Sequence, residues 1–316
     1  MNFTNETLLL KINTFKTFIR FMLQQQQWTE LDREDVEHWL GNFRTNTLYE
    51  QYLACRLLAT IIYFSKKDIS FALREGIFNL LVYKQVLETQ IASNFGQSLQ
   101  AINNIFKEEM SKTCFIPLLA TGSPHESGNY ITRILVQDDI ILQEQSNFID
   151  TVIHYHNTKK FMHLVIVDDC IGSGDQFRQF WETAEVTDND KTISLEKFCV
   201  SKNIDISYLT LIGYKNSVEM LRNEYKSIKI YCVRLLTNEQ RVFNTNSYVW
   251  LDDEEMLRAK KFFKEVTEEQ GIDLYGYNNL DFALIMDQTI PDWSLPMFWN
   301  ETPRWKLLKR RKNSNG

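Results

Sequence analysis

One stretch constrains this chain more than any other: His163-Leu164-Val165-Ile166-Val167-Asp168-Asp169-Cys170-Ile171-Gly172-Ser173-Gly174-Asp175-Gln176. A short apolar run bounded by turn-forming residues reads as a buried parallel strand, here Leu164 to Val167. Two adjacent carboxylates, Asp168 and Asp169, close it. The loop Gly172-Ser173-Gly174 is small enough for its backbone N–H groups to approach an anion closely. A helix expected from about Asp175 aims its positive end at the same place. The combination predicts a phosphate cradle beside an acid pair at the carboxyl end of a strand, the edge where open α/β sheets bind ligands.

An earlier stretch repeats this plan. Cys114 to Leu119 reads as a strand, with Pro117 pushing it towards an edge or a strand end. The small-residue loop Ala120 to Asn129 follows, then a helix from about Tyr130 to Val136. Ser127 and Gly128, just before that helix, are the second candidate anion site. A plain strand-to-helix loop is the alternative reading.

Further along, strands and helices alternate. A helix from Asp175 to about Ala184 turns Phe177, Phe180 and Trp181 inward. Asp190 to Ser194 reads as a loop and Leu195 to Val200 as a helix. Tyr208 to Tyr214 and Ile228 to Leu235 read as strands, separated by a helix capped by Ser217. This alternation predicts βαβ units and a parallel sheet. Trp250 to Thr267 reads as a helix with acidic residues at its positive end. Phe282 to Met286 reads as a strand, followed by a proline- and aromatic-rich cover. Ahead of the sheet, Leu8 to about Lys107 has helical periodicity, with a third helix expected to run on to Phe64. Asp138 to Lys160 reads as one helix, or a helix and a loop. The expected division is a helical region over 1–110, an α/β domain over 111–300 and a basic tail over 301–316.

Composition limits the classes of function. The 316 residues, 44% hydrophobic and 24% charged, suit one large soluble domain or two smaller ones. A net charge of −6 gives no global reason to expect nucleic-acid binding. Only the end is basic, with Arg304, Lys306, Lys309, Arg310, Arg311 and Lys312. It reads as a solvated tail, with a phosphate-contacting arm as the alternative. The five cysteines are scattered, so neither a disulfide framework nor a structural zinc site is expected, and a cytoplasmic location fits. His154, His156 and His163 lack metal-site spacing. No secretory signal is visible, and the apolar run Leu53 to Phe64 is too short to span a bilayer, so no membrane partner is expected.

The strand, acid pair and loop resemble the phosphoribosyl-pyrophosphate motif of type I phosphoribosyltransferases. The resemblance implies an α/β fold with a mainly parallel, doubly wound sheet and an N-terminal helical region. In that family the acid pair hydrogen-bonds ribose hydroxyls, the later loop holds the 5′-phosphate and the earlier loop holds pyrophosphate. Carried onto this chain, Asp168 and Asp169 take the catalytic positions and an indirect contact to Mg²⁺. Gly172, Ser173, Gly174, Asp175 and Gln176 bind the phosphate, and Ser127 and Gly128 the pyrophosphate. Ser173 offers the hydroxyl of the family's first threonine, whereas Gln176 stands where a second threonine is usual. No residue reads as a general base.

The pattern also resembles the phosphoribosyltransferase-like domains of bacterial conflict systems, some of which sit beside retron reverse transcriptases. This likeness includes Trp39-Leu40-Gly41-Asn42-Phe43, Thr289-Ile290-Pro291 and Leu295-Pro296-Met297-Phe298-Trp299. It implies an anti-phage defence effector that binds phosphoribosyl pyrophosphate or a nucleotide and works with a protein or nucleoprotein partner. Three expectations stand side by side: a phosphoribosyl- or nucleotide-handling enzyme, a non-catalytic nucleotide-binding regulator, and a module whose helical front docks a partner.

Overall fold

Side-chain caps set the first three helices. Thr4 caps α1 (Asn5–Gln24) by accepting from the backbone of Thr7. Asp32 and Asp35 form a reciprocal capping box on α2 (Arg33–Gly41). Thr47 and Glu50 do the same on α3 (Leu48–Ala59). The third helix does not reach Phe64. It stops at Ala59, and Ile62–Phe64 forms strand β1. The β-branched and aromatic side chains there fit a pleated surface. Pairing settles the matter: β1 lies parallel to a strand near the other end of the chain, Leu284–Met286.

The computed structural model describes residues 3–119, 127–188 and 191–311. Part of the expected earlier loop, 120–126, and Lys312 therefore lie outside the described residues. The chain divides into two compact units, one combining residues up to Asp68 with those from Leu236 onward, the other running over Ile69–Leu235. The first unit thus joins both ends of the described chain, whereas the sequence reading divides it into three consecutive segments.

In order, the remaining elements are α4 (Lys66–Ile77), α5 (Tyr83–Ala92), α6 (Leu99–Ser111), β2 (Thr113–Pro117), α7 (Ser127–Gln137), α8 (Val152–Lys159), β3 (His163–Ile171) and α9 (Asp175–Thr183). They continue with β4 (Glu185–Asp188), β5 (Lys191–Ser194), α10 (Leu195–Lys202), β6 (Asp205–Tyr214), α11 (Lys215–Glu224), β7 (Lys229–Leu236), α12 (Asp253–Glu268) and β8 (Leu284–Met286).

The first unit is held by aromatic side chains with polar ends. The indole N–H groups of Trp39 and Trp305 both donate to the carbonyl of Met297, each at 2.9 Å. Asn42 donates to the carbonyl of Lys306 at 2.7 Å and accepts from its N–H at 2.9 Å. Phe43 packs against Phe262, Phe263 and Trp305. Trp305, Leu308 and Lys309 are consequently buried, while Arg304, Lys306 and Arg310 stay exposed to solvent. Burying one large apolar side chain stabilises by about 1.5–3 kcal/mol, enough to anchor the segment while those three cations stay in water.

The second unit carries a four-stranded sheet in the order β2-β3-β6-β7, with parallel strands. On one face Leu164, Ile166 and Tyr208 join Tyr155, Phe177, Phe198 and Leu221 of α8 to α11 in one core. On the other, Val165, Val167 and Leu209 are fully buried. A Cβ on Gly76 of α4 would lie 2.7 Å from the Leu209 side chain and 2.9 Å from Val233, so this helix sits directly on the sheet. Cover on both faces explains why β3 is a continuous apolar run rather than an alternating one.

Local boundaries differ from expectation where pairing decides them. Residues 191–194, expected as loop, form β5 and pair antiparallel with β4. Between 138 and 160 only α8 is α-helical, preceded by a short 3₁₀ turn at Gln143–Gln145. No helix among the described residues is long and apolar enough to cross a membrane.

Candidate functional site

The acid pair lies inside β3, not beyond its end. β2 pairs with β3 only as far as Pro117 opposite Val167, and the N–H of Leu118 makes a last bond to the Val167 carbonyl at 2.9 Å. On the other side β6 continues, placing Thr210 opposite Asp168, Ile212 opposite Cys170 and Gly213 opposite Ile171. Strand β3 is therefore longer than the expected Leu164 to Val167, because one neighbour keeps pairing after the other has stopped.

The first turn of α7 meets β3 at this level. Ser127 Oγ donates to Asp168 Oδ1 at 2.8 Å. Gly128 makes the approach feasible: a Cβ there would lie 2.5 Å from the Leu118 carbonyl oxygen and 2.8 Å from its nitrogen. Any side chain at 128 must displace backbone. Ser127 thus reaches the acid pair, and Gly128 is buried against β2.

Asp168 is almost wholly engaged by the protein. Its Oδ1 also accepts from the N–H of Asp169 at 2.9 Å, and its Oδ2 accepts from the hydroxyl of Tyr208 at 3.2 Å. Both carboxylates are buried. Burial, reinforced by the charge of Asp169, pushes the Asp168 carboxyl well above the ordinary carboxylate range. Burial also raises Asp169, opposed by hydrogen bonds from Ser127 and Cys170. The Tyr208 hydroxyl is pushed up by burial and then by the Asp168 charge. Among the described residues neither carboxylate has a lysine, arginine or histidine within ion-pair distance.

The loop after β3 turns through Gly174, which precedes α9 with φ of +90°. A Cβ there would be strained by that angle and would also lie 3.0 Å from Leu221. Ser173 Oγ donates to Asp175 Oδ2 at 2.8 Å and accepts from the Asp175 N–H at 3.3 Å. Asp175 in turn pairs with Arg178 at 3.0 Å, and Arg178 with Glu224 at 3.1 Å. Gly172 is buried and Gln176 is exposed. The first turn of α9 therefore carries its own carboxylate, which its positive end stabilises and which competes with an incoming anion.

Two residues of the site escaped the sequence reading. Tyr208 bonds Asp168 and stacks on Phe177 of α9, with ring centroids 4.6 Å apart, joining the acid pair to the loop helix. Thr210 is fully buried opposite Asp168, and its hydroxyl has no hydrogen-bond partner among the described residues. Only the β3–β6 register could have identified them, and that register is not written in either segment.

The parallel sheet, the acid pair in its second strand, Ser127 of α7 bonded to that pair and the glycine turn into α9 after it define a phosphoribosyltransferase-like α/β protein. The family model PRTase-CE matches residues 36–311, and the chain belongs to that family. Among solved structures it is similar to the orotate phosphoribosyltransferase from Aeropyrum pernix, at 11% identity and a TM-score of 0.24. That match covers 41% of this chain and 63% of the other, so the chain spans less than two thirds of that relative, and so distant a likeness carries no argument about the site. No match is found among curated proteins.

Proposed function

We propose that the acid pair in β3 and the loop 172–176 bind a ribose phosphate ligand, either phosphoribosyl pyrophosphate or a nucleotide. One observation carries this reading: two buried carboxylates, both with raised pKa, have no cation beside them among the described residues. Such a pair is costly unless hydroxyl donors or a positive charge complete it. Ribose hydroxyls are donors of that kind.

The donors present suit a hard cation held mainly by ligand oxygens and water. No cluster of three or more metal-binding side chains occurs among the described residues. Asp168 already accepts bonds at both oxygens, and hydrogen bonds from Ser127 and Cys170 reach Asp169, so a cation here would draw most of its ligands from substrate and water. Mg²⁺ commonly uses one or two carboxylates plus substrate phosphates, and would neutralise charge on a pyrophosphate. Asp169 then orients the ribose, Ser127 and Tyr208 hold Asp168 in place, and the first turn of α9 faces the phosphate. Catalysis in such a site rests on positioning and on stabilising charge at the ribose and its leaving group.

A second reading, a non-catalytic nucleotide-binding regulator, is favoured by the loop itself. Asp175 places a negative charge at the cradle, and Gln176 points to solvent with no hydroxyl to offer. On either reading, the effector role in anti-phage defence and the protein or nucleoprotein partner rest on the resemblance to conflict-system proteins.

The test is a thermal-shift series with phosphoribosyl pyrophosphate, ribose 5-phosphate and nucleotides, with and without Mg²⁺. A ligand that binds only the folded state raises the apparent stability, by about 2.7 kcal/mol at a hundredfold excess over Kd. The expected result is a shift that Asp169→Asn abolishes. No shift with any of these ligands overturns the proposal. Pyrophosphate release under saturating ligand separates the enzyme from the regulator.

A further inference from the structure

The first unit contains a cavity that the acid-pair site does not use. It has a volume of about 320 Å³ and is lined by residues of α1, α2 and α3 together with the turn after α2. That is within the usual size of small-molecule sites. Its floor is almost entirely aliphatic, with Ile19, Leu23, Val36, Leu40 and Ala54, closed by the side chain of Phe43. The one uncharged polar side chain in the lining is Gln51, whose amide nitrogen already donates to the Asn46 carbonyl at 2.9 Å. The floor offers little to the hydrogen-bonding edge of a nucleobase.

The mouth is cationic. Lys16, Arg20, Arg33 and Arg44 line it, against the single carboxylate of Glu37. Arg33 is committed to Glu37 at 2.7 Å. Lys16, Arg20 and Arg44 form no ion pair among the described residues. Glu37 is held below the ordinary carboxylate range, first by Arg33 and then by Arg20 and Arg44, so these guanidinium groups share one field. In a chain with a net charge of −6, this concentration of positive charge around an apolar hollow is a local feature.

The geometry points to a binding site for a small amphipathic anion, an acyl or alkyl chain with one carboxylate or phosphate head. The chain fills the floor between α1, α2 and α3. The head lies between Arg20, Arg44 and Lys16, where Arg offers paired donors to carboxylate or phosphate oxygens. This inference is independent of the phosphoribosyl reading, since every lining residue belongs to the first unit.

The test uses the full chain and the fluorescent probe 1-anilinonaphthalene-8-sulfonate, with octanoate, octyl phosphate, octanol and AMP as competitors. Octanoate and octyl phosphate are expected to displace the probe, and octanol to fail. Affinity should rise about fourfold per added methylene from hexanoate to octanoate, as expected for a chain entering an apolar hollow. The double variant Arg20→Glu/Arg44→Glu changes only exposed side chains, so it tests binding without disturbing the core. It should weaken octanoate at least tenfold with an unchanged far-ultraviolet circular dichroism spectrum. Unchanged octanoate affinity in this variant, equal competition by octanol, or displacement of the probe by AMP at a lower concentration than by octanoate each overturns the inference.

Discussion

The hydroxyl of Tyr208 lies 3.2 Å from Oδ2 of Asp168, across the boundary between two parallel strands. It donates to a carboxylate whose other oxygen already accepts from Ser127 and from the N–H of Asp169. A buried carboxylate is tolerable only when its lone pairs are met, and here three separate segments supply the donors. The same tyrosine ring stacks on Phe177, so the acid pair and the loop helix share a rigid neighbour.

Replacing Tyr208 with phenylalanine keeps the stack and removes the donor. The Asp168 oxygen is then buried and short of a partner, and stability should fall by about 1–3 kcal/mol. Urea denaturation at neutral pH measures this. An unchanged midpoint would mean that the bond adds no stability.

The acid pair should also make stability depend on pH. Both carboxyls are raised by burial above their unfolded values, Asp168 the more strongly. The folded chain therefore keeps these protons where the unfolded chain has lost them. Their stabilising contribution is complete below the unfolded value of about 4 and is lost as pH rises through the folded values. Asp168→Asn cannot ionise, and its amide group keeps one accepting oxygen. Relative to the natural protein it should gain stability steadily from pH 4 towards pH 8. Parallel denaturation curves for the two proteins across that range would refute the assignment.

Thr210 offers a contrasting case. Its hydroxyl is buried with no partner among the described residues, so Thr210→Val removes an unmet polar group at nearly constant shape. A gain of about 1 kcal/mol is expected in the absence of ligand. Should ribose 5-phosphate then bind as before, Thr210 does not touch it.

Gly128→Ala drives a methyl group into the backbone at Leu118 and should cost about 1–3 kcal/mol, read by thermal melting. Since Ser127 precedes it on α7, the same variant should weaken any ligand that depends on the placement of Asp168. A melting temperature equal to that of the natural protein would show that α7 is free to shift.

Asp175→Asn removes negative charge from the first turn of α9. Affinity for inorganic phosphate or ribose 5-phosphate should rise about fivefold, as roughly 1 kcal/mol at a helix terminus implies. Calorimetric titration at low salt measures it. An unchanged or weaker affinity would argue that no phosphate sits at this turn.

Much of this was legible in the sequence because it depends on local pattern. The apolar run ahead of Asp168-Asp169, the glycine turn at Gly174 and the alternation of strands and helices after Cys114 are each set within a few residues. They announce an α/β sheet and place an acid pair beside a small loop. The tertiary structure decided whatever depends on a distant partner. Ile62–Phe64 became a strand because Leu284–Met286 lies beside it, and β3 ran past Val167 because β6 continues where β2 stops. The basic end was anchored because Trp305 and Leu308 joined the first unit's core. Tyr208 joined the site only through strand register, since pairing energy and side-chain burial act between segments that the linear pattern cannot align. Local pattern alone announced an acid pair at the end of an apolar run, beside a glycine turn. Which donors would surround that pair, and that no cation among the described residues would neutralise it, followed only from the packing of α7 and β6 against β3.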